Sequence, residues 1–447
     1  MKNRKNKIKS NSRDKGQKLW KKAESIILGG NSLLSKNPNL FLPNKWPTYF
    51  SKSKGCRVWD LNNKSYIDMS LMGVGTNILG YCNTEVDNSV KKIIKKGNLT
   101  TLNCPEEVYL AEKLISIHPW AGKVKFARTG GEANAIAIRI ARAASGRENV
   151  AFCGYHGWHD WYLAANLKNK NNLNNHLMSG LDPLGVPSNL RNTSFGFEYN
   201  NLDQLEKIIR EKNIGVIKME VSRNIQPNIK FLKKVRELSR KKNIVLIFDE
   251  CTSGFRQCFG GLHKLLNINP DMAIFGKALG NGYAITAILG KKSVMDSAKK
   301  SFISSTFWTE RIGPTAAIKT LEIMEREKSW KKISNLGEKL IMIWKQLSKK
   351  HNLKISISGL PSLAKFSFKS KNSQAYKTFV TQEMLKHRFL AADGVYLSIS
   401  HNEKILNEYK NYLDEIFYMI AECEKGNINI LKILKHPISH IPFQRLN

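Results

Sequence analysis

Short apolar runs separated by helical stretches predict an α/β fold: a mainly parallel sheet flanked by helices, joined to a smaller α+β domain. The runs fall between residues 96 and 325: K-V-K-F-A (123–127), N-V-A-F-C (149–153), I-G-V-I-K-M (214–219), N-I-V-L-I-F (243–248), M-A-I-F (272–275) and A-I-T-A-I-L (284–289). They are apolar throughout instead of alternating, as strands covered on both faces must be. Helical patterns such as F-L-K-K-V-R-E-L-S-R-K-K (231–242) lie between them. A chain of 447 residues with 42% hydrophobic content can bury a large domain and a companion.

In order along the chain, residues 1–95 are expected to form an N-terminal segment. Its first 22 residues hold ten Lys or Arg against one Asp and no apolar run, which predicts a solvated, poorly ordered leader. C-R-V-W-D-L (56–61) and S-Y-I-D-M (65–69), with Asn62-Asn63 between them, predict a hairpin that precedes the Gly-rich loop G-V-G-T-N-I-L-G (73–80). Residues 96–325 form the predicted large domain. Residues 326–447 read as the small domain, with an amphipathic helix over 328–350, strands at 354–358, 364–368 and 395–400, and a helix over 408–422.

The net charge of +36 would by itself suggest a nucleic-acid or anionic-membrane partner. The lysines are spread along most of the chain and no nucleic-acid-binding motif accompanies them, so no specific nucleic-acid partner is expected. No stretch offers the ~18 apolar residues of a membrane span, and the leader has no apolar core for secretion, so a cytoplasmic protein is expected. The seven cysteines are scattered, without a C-x-x-C pair or a His at zinc spacing, and read as small buried hydrophobes with no metal site.

In a parallel sheet the ligand sits at the carboxyl ends of the strands. Four stretches lie there. R-T-G-G-E-A-N-A (128–135) runs from a strand through Thr129, Gly130 and Gly131 into a helix, a start that suits a phosphate, although a Gly-Gly turn is also ordinary. Y-H-G-W-H-D-W-Y (155–162) follows the second strand; Tyr155 can stack on a planar ring and His156 is a candidate beside it, while Trp158, Trp161 and Tyr162 read as a hydrophobic contact patch. F-D-E-C-T-S-G-F-R (248–256) sets Asp249 at a strand end, where it is either a helix cap or a catalytic group. Lys277, in F-G-K-A-L-G-N-G (275–282), lies 28 residues later and is bracketed by glycines that leave room for a ligand. Such a lysine can form a Schiff base with an aldehyde cofactor, with the acid holding a ring nitrogen protonated. S-F-I-S-S-T-F-W-T-E-R (301–311) adds candidate hydroxyl donors.

In this order, T-G-G-E-A, Y-H-G, D-E-x-x-x-G-F-R, F-G-K-A-L-G-N-G and S-T-F-W resemble the class III aminotransferases among the fold type I pyridoxal phosphate enzymes, and within them the branch of glutamate-1-semialdehyde aminomutase. The resemblance implies pyridoxal 5'-phosphate as cofactor, with Lys277 as its Schiff-base lysine and proton carrier and Asp249 on the pyridinium nitrogen. It implies that Thr129, Gly130 and Gly131 cradle the phosphate and that Tyr155 stacks on one ring face, with Cys251 where relatives carry an apolar residue against the other. His156 and Glu220 complete the expected cofactor set. Thr306 is expected to reach the phosphate of a partner subunit in a homodimer.

This chain departs from the aminomutases on the substrate side. N-S-L-L-S-K (31–36) lacks their arginine, S-L-M-G-V-G-T-N-I-L-G (70–80) lacks their tryptophan, D-G-V-Y-L-S-I-S-H-N (393–402) is shortened, and M-E-V-S-R-N (219–224) lacks a proline after Glu220. The expected function is therefore transfer of an amino group from a small-molecule donor to a carbonyl acceptor, with sugar or surface-polysaccharide synthesis as a candidate setting. The aminomutase reaction is one alternative. A non-catalytic descendant that binds an anionic polymer is another.

Overall fold

The computed structural model describes residues 14–441 except 175, 177–179, 223 and 225–227. Fourteen strands are described, in three sheets. Phe50–Lys54 (β1), Arg57–Asp60 (β2) and Ser65–Met69 (β3) start the first. Lys123–Ala127 (β4), Asn149–Cys153 (β5), Ser194–Gly196 (β6), Ile214–Glu220 (β7), Val245–Asp249 (β8), Met272–Phe275 (β9) and Thr286–Gly290 (β10) form the second. Ile355–Ser358 (β11), Leu363–Phe368 (β12), Phe389–Ala391 (β13) and Gly394–Tyr396 (β14) follow.

The seven-stranded sheet has the order β4-β10-β9-β8-β7-β5-β6. Neighbours from β9 to β6 are parallel, whereas β10 runs antiparallel to both β4 and β9. The reason is the connection: a parallel return needs a crossover of a dozen residues or more. Here a 3-10 turn, Lys277–Gly280, and a glycine at φ +102, Gly282, reverse the chain directly. The helix Gly130–Ser145 covers one face through Ala133, Ala137 and Ala141, and the helix Ile229–Lys241 covers the other through Leu232 and Val235.

The predicted hairpin is present as β2 and β3, with Asn63 at φ 61 in its turn. It is extended by β1 on one edge and on the other by β13, which pairs in parallel with β3 across some 320 residues of chain. The N-terminal segment and the C-terminal region thus share one sheet. β11, β12 and β14 make the small antiparallel sheet, on which the helices Ser329–Lys350 and Glu403–Glu424 pack through Trp344, Phe366 and Phe417.

The basic leader requires a correction for the part that is described. Lys15–Ile26 is a helix, capped by Asp14, whose carboxylate accepts the N–H groups of Gly16 and Gln17 at 2.9 and 3.2 Å. Gly16, Trp20 and Ala23 give it a buried stripe at helical spacing. Trp20 lies so close over Gly30 that a Cβ there would approach its ring to 2.6 Å. Residues 1–13 of the leader, and Arg223 of M-E-V-S-R-N, lie outside the described residues. No helix among the described residues is long and apolar enough to cross a membrane, and all seven cysteines are free.

A buried polar cluster joins the helix Pro105–Ile117 to the turn after β8. His118 accepts the Gly261 N–H at Nε2, 3.0 Å, and its Nδ1 donates to the Leu114 carbonyl at 3.0 Å, an arrangement that satisfies the neutral ring. Burial, and next the neighbouring His263, push its pKa down from 6.5 to about 3. The folded value is below the unfolded one, so a proton favours the unfolded chain; stability is full above about pH 6.5 and falls as pH drops towards 3. The loss is about 1.4 kcal/mol per pH unit for one group. His118→Gln, which can keep both hydrogen bonds, is expected to flatten this part of the profile by about one proton, as measured by denaturant titrations between pH 7 and pH 4.

Candidate active site

Register along the parallel strands brings the candidate residues to one edge. Cys153 of β5 pairs with Met219 of β7, Glu220 with Asp249 of β8, and Asp249 with Ile274 of β9. Tyr155, His156, Glu220, Asp249, Cys251 and Lys277 therefore leave the sheet side by side. Thr129, past the end of β4, is tied in by Thr286 of β10, whose hydroxyl reaches its carbonyl at 3.4 Å.

Asp249 is at the centre and is 4% exposed. Its Oδ2 lies 2.9 Å from Nδ1 of His156 and its Oδ1 accepts the Cys251 N–H at 3.1 Å. His156 is fully buried, its Nδ1 donates to this carboxylate, and its Nε2 lies 3.1 Å from the Cys153 carbonyl. Lys218 of β7, also fully buried, sets its Nζ 3.6 Å from the same Oδ2. Burial pushes the Asp249 carboxyl up, but the Lys218 charge and the His156 hydrogen bond outweigh it and hold the group well below the usual carboxylate range. The acid is ionised.

Lys277 begins the 3-10 turn after β9 with φ 39, in the left-handed region, which costs a non-glycine residue about 1 kcal/mol. Its Nζ donates to Thr252 Oγ1 at 2.9 Å, which holds the amine over the D-E-C-T turn that starts at Asp249. Gly276 permits this approach: a Cβ there would meet Thr286 Cγ2 at 3.0 Å and Cys251 Sγ at 3.3 Å. Asn281 then fastens the turn to the Gly-rich loop by accepting the Leu79 N–H at 2.9 Å and donating to the Gly80 carbonyl at 3.1 Å.

The helix Gly130–Ser145 starts with a capping box. Thr129 Oγ1 accepts the Glu132 N–H at 3.3 Å, and the Glu132 carboxylate accepts the N–H groups of Arg128 and Thr129 at 3.1 and 2.8 Å. Gly130 and Gly131 occupy the first turn, whose N–H groups lie outside the helix's own ladder. A Cβ on Gly131 would come within 3.0 Å of the His159 ring, and one on Gly130 within 3.8 Å of Cys251 Sγ. His159 Nε2 is buried there without a hydrogen-bond partner. Across the edge, Glu220 accepts the Tyr155 N–H at 3.1 Å, and Gly154 leaves room for that carboxylate at φ +103. Trp161 and Tyr162 pack in the core as expected of a contact patch, whereas Trp158 is 68% exposed and borders Gly131.

Thr306 is on the surface, on a turn between the exposed Phe302 and Phe307, and the turn hangs from Arg128, whose guanidinium donates to the carbonyls of Trp308 and Glu310 at 2.9 Å each. Sequence reasoning missed Lys218, Thr252, His159 and Arg256. Arg256 is 1% exposed and donates from Nε to the Thr252 carbonyl at 2.9 Å and from Nη2 to Gly75 O, linking the Gly-rich loop to the site. It stands in the quoted D-E-x-x-x-G-F-R, so the motif contained it without suggesting a task.

A lysine amine over a strand-end acid, with a glycine helix start beside them, defines an enzyme that binds a phosphorylated aldehyde cofactor. The chain matches the family described as aminotransferase class-III over residues 43–407, and it belongs to that family. It is 32% identical to the 3-aminobutyryl-CoA aminotransferase of Cloacimonas acidaminovorans over 429 residues, covering 93% of this chain and 97% of that one. It is also 32% identical to the glutamate-1-semialdehyde 2,1-aminomutase of Sulfolobus acidocaldarius, over 88% of this chain and 94% of that one. The FumI protein of Sphingopyxis sp. MTA144, solved in its PLP internal aldimine form, shares the fold with a TM-score of 0.83 at 22% identity, over 95% and 98% of the two chains.

The protein is thus an enzyme of the class III aminotransferase type with pyridoxal phosphate as cofactor. The residues present fit that group: a glycine helix start where a Cβ on Gly131 would crowd His159, an ionised acid at the sheet edge, the Lys277 amine held by Thr252 over the turn that starts at this acid, and an unpartnered His159 nitrogen beside the glycines. Gly131→Ala is expected to push a methyl into His159 and into the space that a cofactor phosphate would take at this helix start. Loss of one or two charge-assisted hydrogen bonds lowers cofactor affinity about 10- to 100-fold, read by fluorescence titration of the apoprotein, with little change in its unfolding temperature.

Proposed function

We propose that this enzyme is an intermolecular transaminase whose carbonyl acceptor is larger than a five-carbon semialdehyde, working as a homodimer in the cytoplasm. One observation carries the choice over the aminomutase reaction. A cavity of about 610 Å³ reaches Gly282, two residues past the Lys277–Gly280 turn, and Asn77 beside it, and positions that depart from the aminomutases line it: Leu33, Ser35 and Lys36 in place of the arginine segment, Gly73 and Val74 in the loop without tryptophan. Such a volume is in the ~300–1,000 Å³ range of sites for drug-sized ligands. Trp46, Tyr49 and Trp59 give it aromatic faces, and Lys36 is its cation for an acidic group. An acyl thioester ketone, as the name of the Cloacimonas relative suggests, or a keto-sugar fits this description.

In this reading Gly130 and Gly131, with Thr129 and the partner's threonine, hold the phosphate; Tyr155 and Cys251 take the two ring faces; Asp249, oriented by His156, meets the ring nitrogen. Glu220 fixes the turn that carries Tyr155. The bound cofactor supplies an aldehyde that accepts the amino group and a ring that accepts electrons. Lys277 supplies the proton transfer: its amine, once released and neutral, takes a proton from the donor's α-carbon and later returns one to the acceptor's carbon. Thr252, 2.9 Å from that amine, orients it. The exposed Thr306, Phe302 and Phe307 support a surface completed by a second copy, and seven free cysteines fit a reducing compartment.

Lys277→Ala is expected to lose the visible absorption of the lysine-bound cofactor and all transamination; a variant that kept both would overturn the assignment. Incubation with glutamate-1-semialdehyde alone is expected to yield no 5-aminolevulinate, whereas an added amino donor with a panel of keto-sugars and acyl thioester ketones turns over. Mixing Lys277→Ala with Thr306→Ala chains tests the dimer: sites that combine Lys277 with the other subunit's Thr306 regain full affinity for the cofactor, and activity rises above that of either variant alone.

A further inference from the structure

Lys218 is in the middle of a strand that is buried along its whole length. Val216 packs on the sheet face under the helix Gly130–Ser145, and Ile217 and Met219 on the opposite face, so Lys218 shares the face of Val216, towards Asp249. Its Nζ is fully buried, has no hydrogen-bond partner, and lies 3.6 Å from Asp249 Oδ2. A lysine here is costly: burial pushes its pKa down, and the Asp249 carboxylate 3.6 Å away is the main group that opposes this and favours the charged amine. Nothing in the expected cofactor set requires it.

We propose that Lys218 is a positioning residue: its buried charge sets the potential at Asp249 and, through that carboxylate, how tightly the ring nitrogen of the bound cofactor holds its proton. The proposal rests on the reading above that Asp249 meets that nitrogen. The titratable groups facing Lys218 are Asp249 and Cys251 at the end of β8, Glu220 on its own strand and His156 after β5. The helix above contributes Ala133, Ala137 and Ala141 to that face. Asp249 also pairs with His156 and accepts the Cys251 N–H, so Lys218 adds a further positive group to a carboxylate that already has polar partners. A second cation facing one carboxylate competes with the ring nitrogen for it. At the few ångströms involved, the competition weakens the nitrogen's proton affinity by about 10- to 100-fold, or about one to two pH units. The ring is thereby tuned to be a weaker electron acceptor than the same acid would make it with an apolar neighbour.

The test uses holoenzyme loaded with cofactor carrying ¹⁵N in the ring, and follows the nitrogen's chemical shift against pH. In Lys218→Met the protonated signal is expected to persist about one to two pH units higher than in the wild type. Lys218→Gln gives the same readout should the Met variant fail to fold, and Lys218→Arg returns the midpoint towards the wild-type value. Equal midpoints in wild type and the neutral variants would overturn the proposal; a purely structural lysine lowers the unfolding temperature without moving the midpoint. Asp249→Asn separates the two levels. If that variant leaves the wild-type titration unchanged, the placement of Asp249 at the nitrogen is wrong; if it abolishes the protonated form while Lys218→Met does nothing, only the role of Lys218 falls.

Discussion

The rest of the structure depends on a carboxylate kept ionised inside a sheet. Asp249 is 4% exposed, and burial alone would neutralise it. What opposes this is supplied by two other strands: His156 follows β5 and Lys218 belongs to β7. Those groups reach Asp249 only if β5, β7 and β8 are parallel and in the observed register, because a slip of one residue would turn each side chain to the other face. The charge therefore constrains the fold as much as the fold positions the charge. Removing one partner leaves a buried ion uncompensated, which is costlier than never having placed it there.

Around this fixed centre the Gly-rich loop is tied by backbone geometry. Met72, Gly73, Val74 and Gly75 have φ values of 42, 64, 60 and 80, an unusual left-handed run in which the β-branched Val74 is the most strained. Arg256 bonds the Gly75 carbonyl and Asn281 bonds Leu79 and Gly80, so the loop is held at both ends by residues of the D-E-C-T and K-A-L-G-N turns. Strain of this kind persists only where surrounding contacts over-determine it. Arg256 does so with its charge spread over two carbonyls in a buried space, and burial lowers its pKa to about 10.

How much of this was legible follows from where each signal is encoded. The strands buried on both faces could be read because burial writes itself into uninterrupted apolar runs, as in N-I-V-L-I-F for β8. β1 (F-S-K-S-K) is an exposed edge, and β6 and β13 have three residues each, so none of them carries a run to read. The direction of β10 is a property of its connection and not of its composition. The helix Lys15–Ile26 was hidden because its three buried positions stand among lysines. At the site, Asp249 and Lys277 were visible through strand ends and glycines, which are local features. Thr252 and His159 gain their places only by contacts across the fold. Lys218 was read inside an apolar run, although a charge at a position alternating with Val216 and Glu220 was itself a signal.

The division between what matches the aminomutases and what departs from them has a mechanical origin. Every residue assigned to the cofactor is attached to the seven-stranded sheet or to the turn hung from Arg128 beside it, where register and buried charge leave little freedom. The cavity wall is built mostly from the segment 33–82, with Gly282 and Leu390, and that segment lies outside the seven-stranded sheet and joins it through a few bonds, such as those of Arg256 and Asn281. Substitutions in Leu33, Lys36 or Val74 change the shape and charge of the cavity without disturbing the register that holds Asp249. On the proposed function, acceptor preference can therefore drift while Lys277 and Asp249 stay in place, and the boundary between the two runs along the contact of Asn77 with Gly282, where a Cβ would lie 2.8 Å from the amide oxygen.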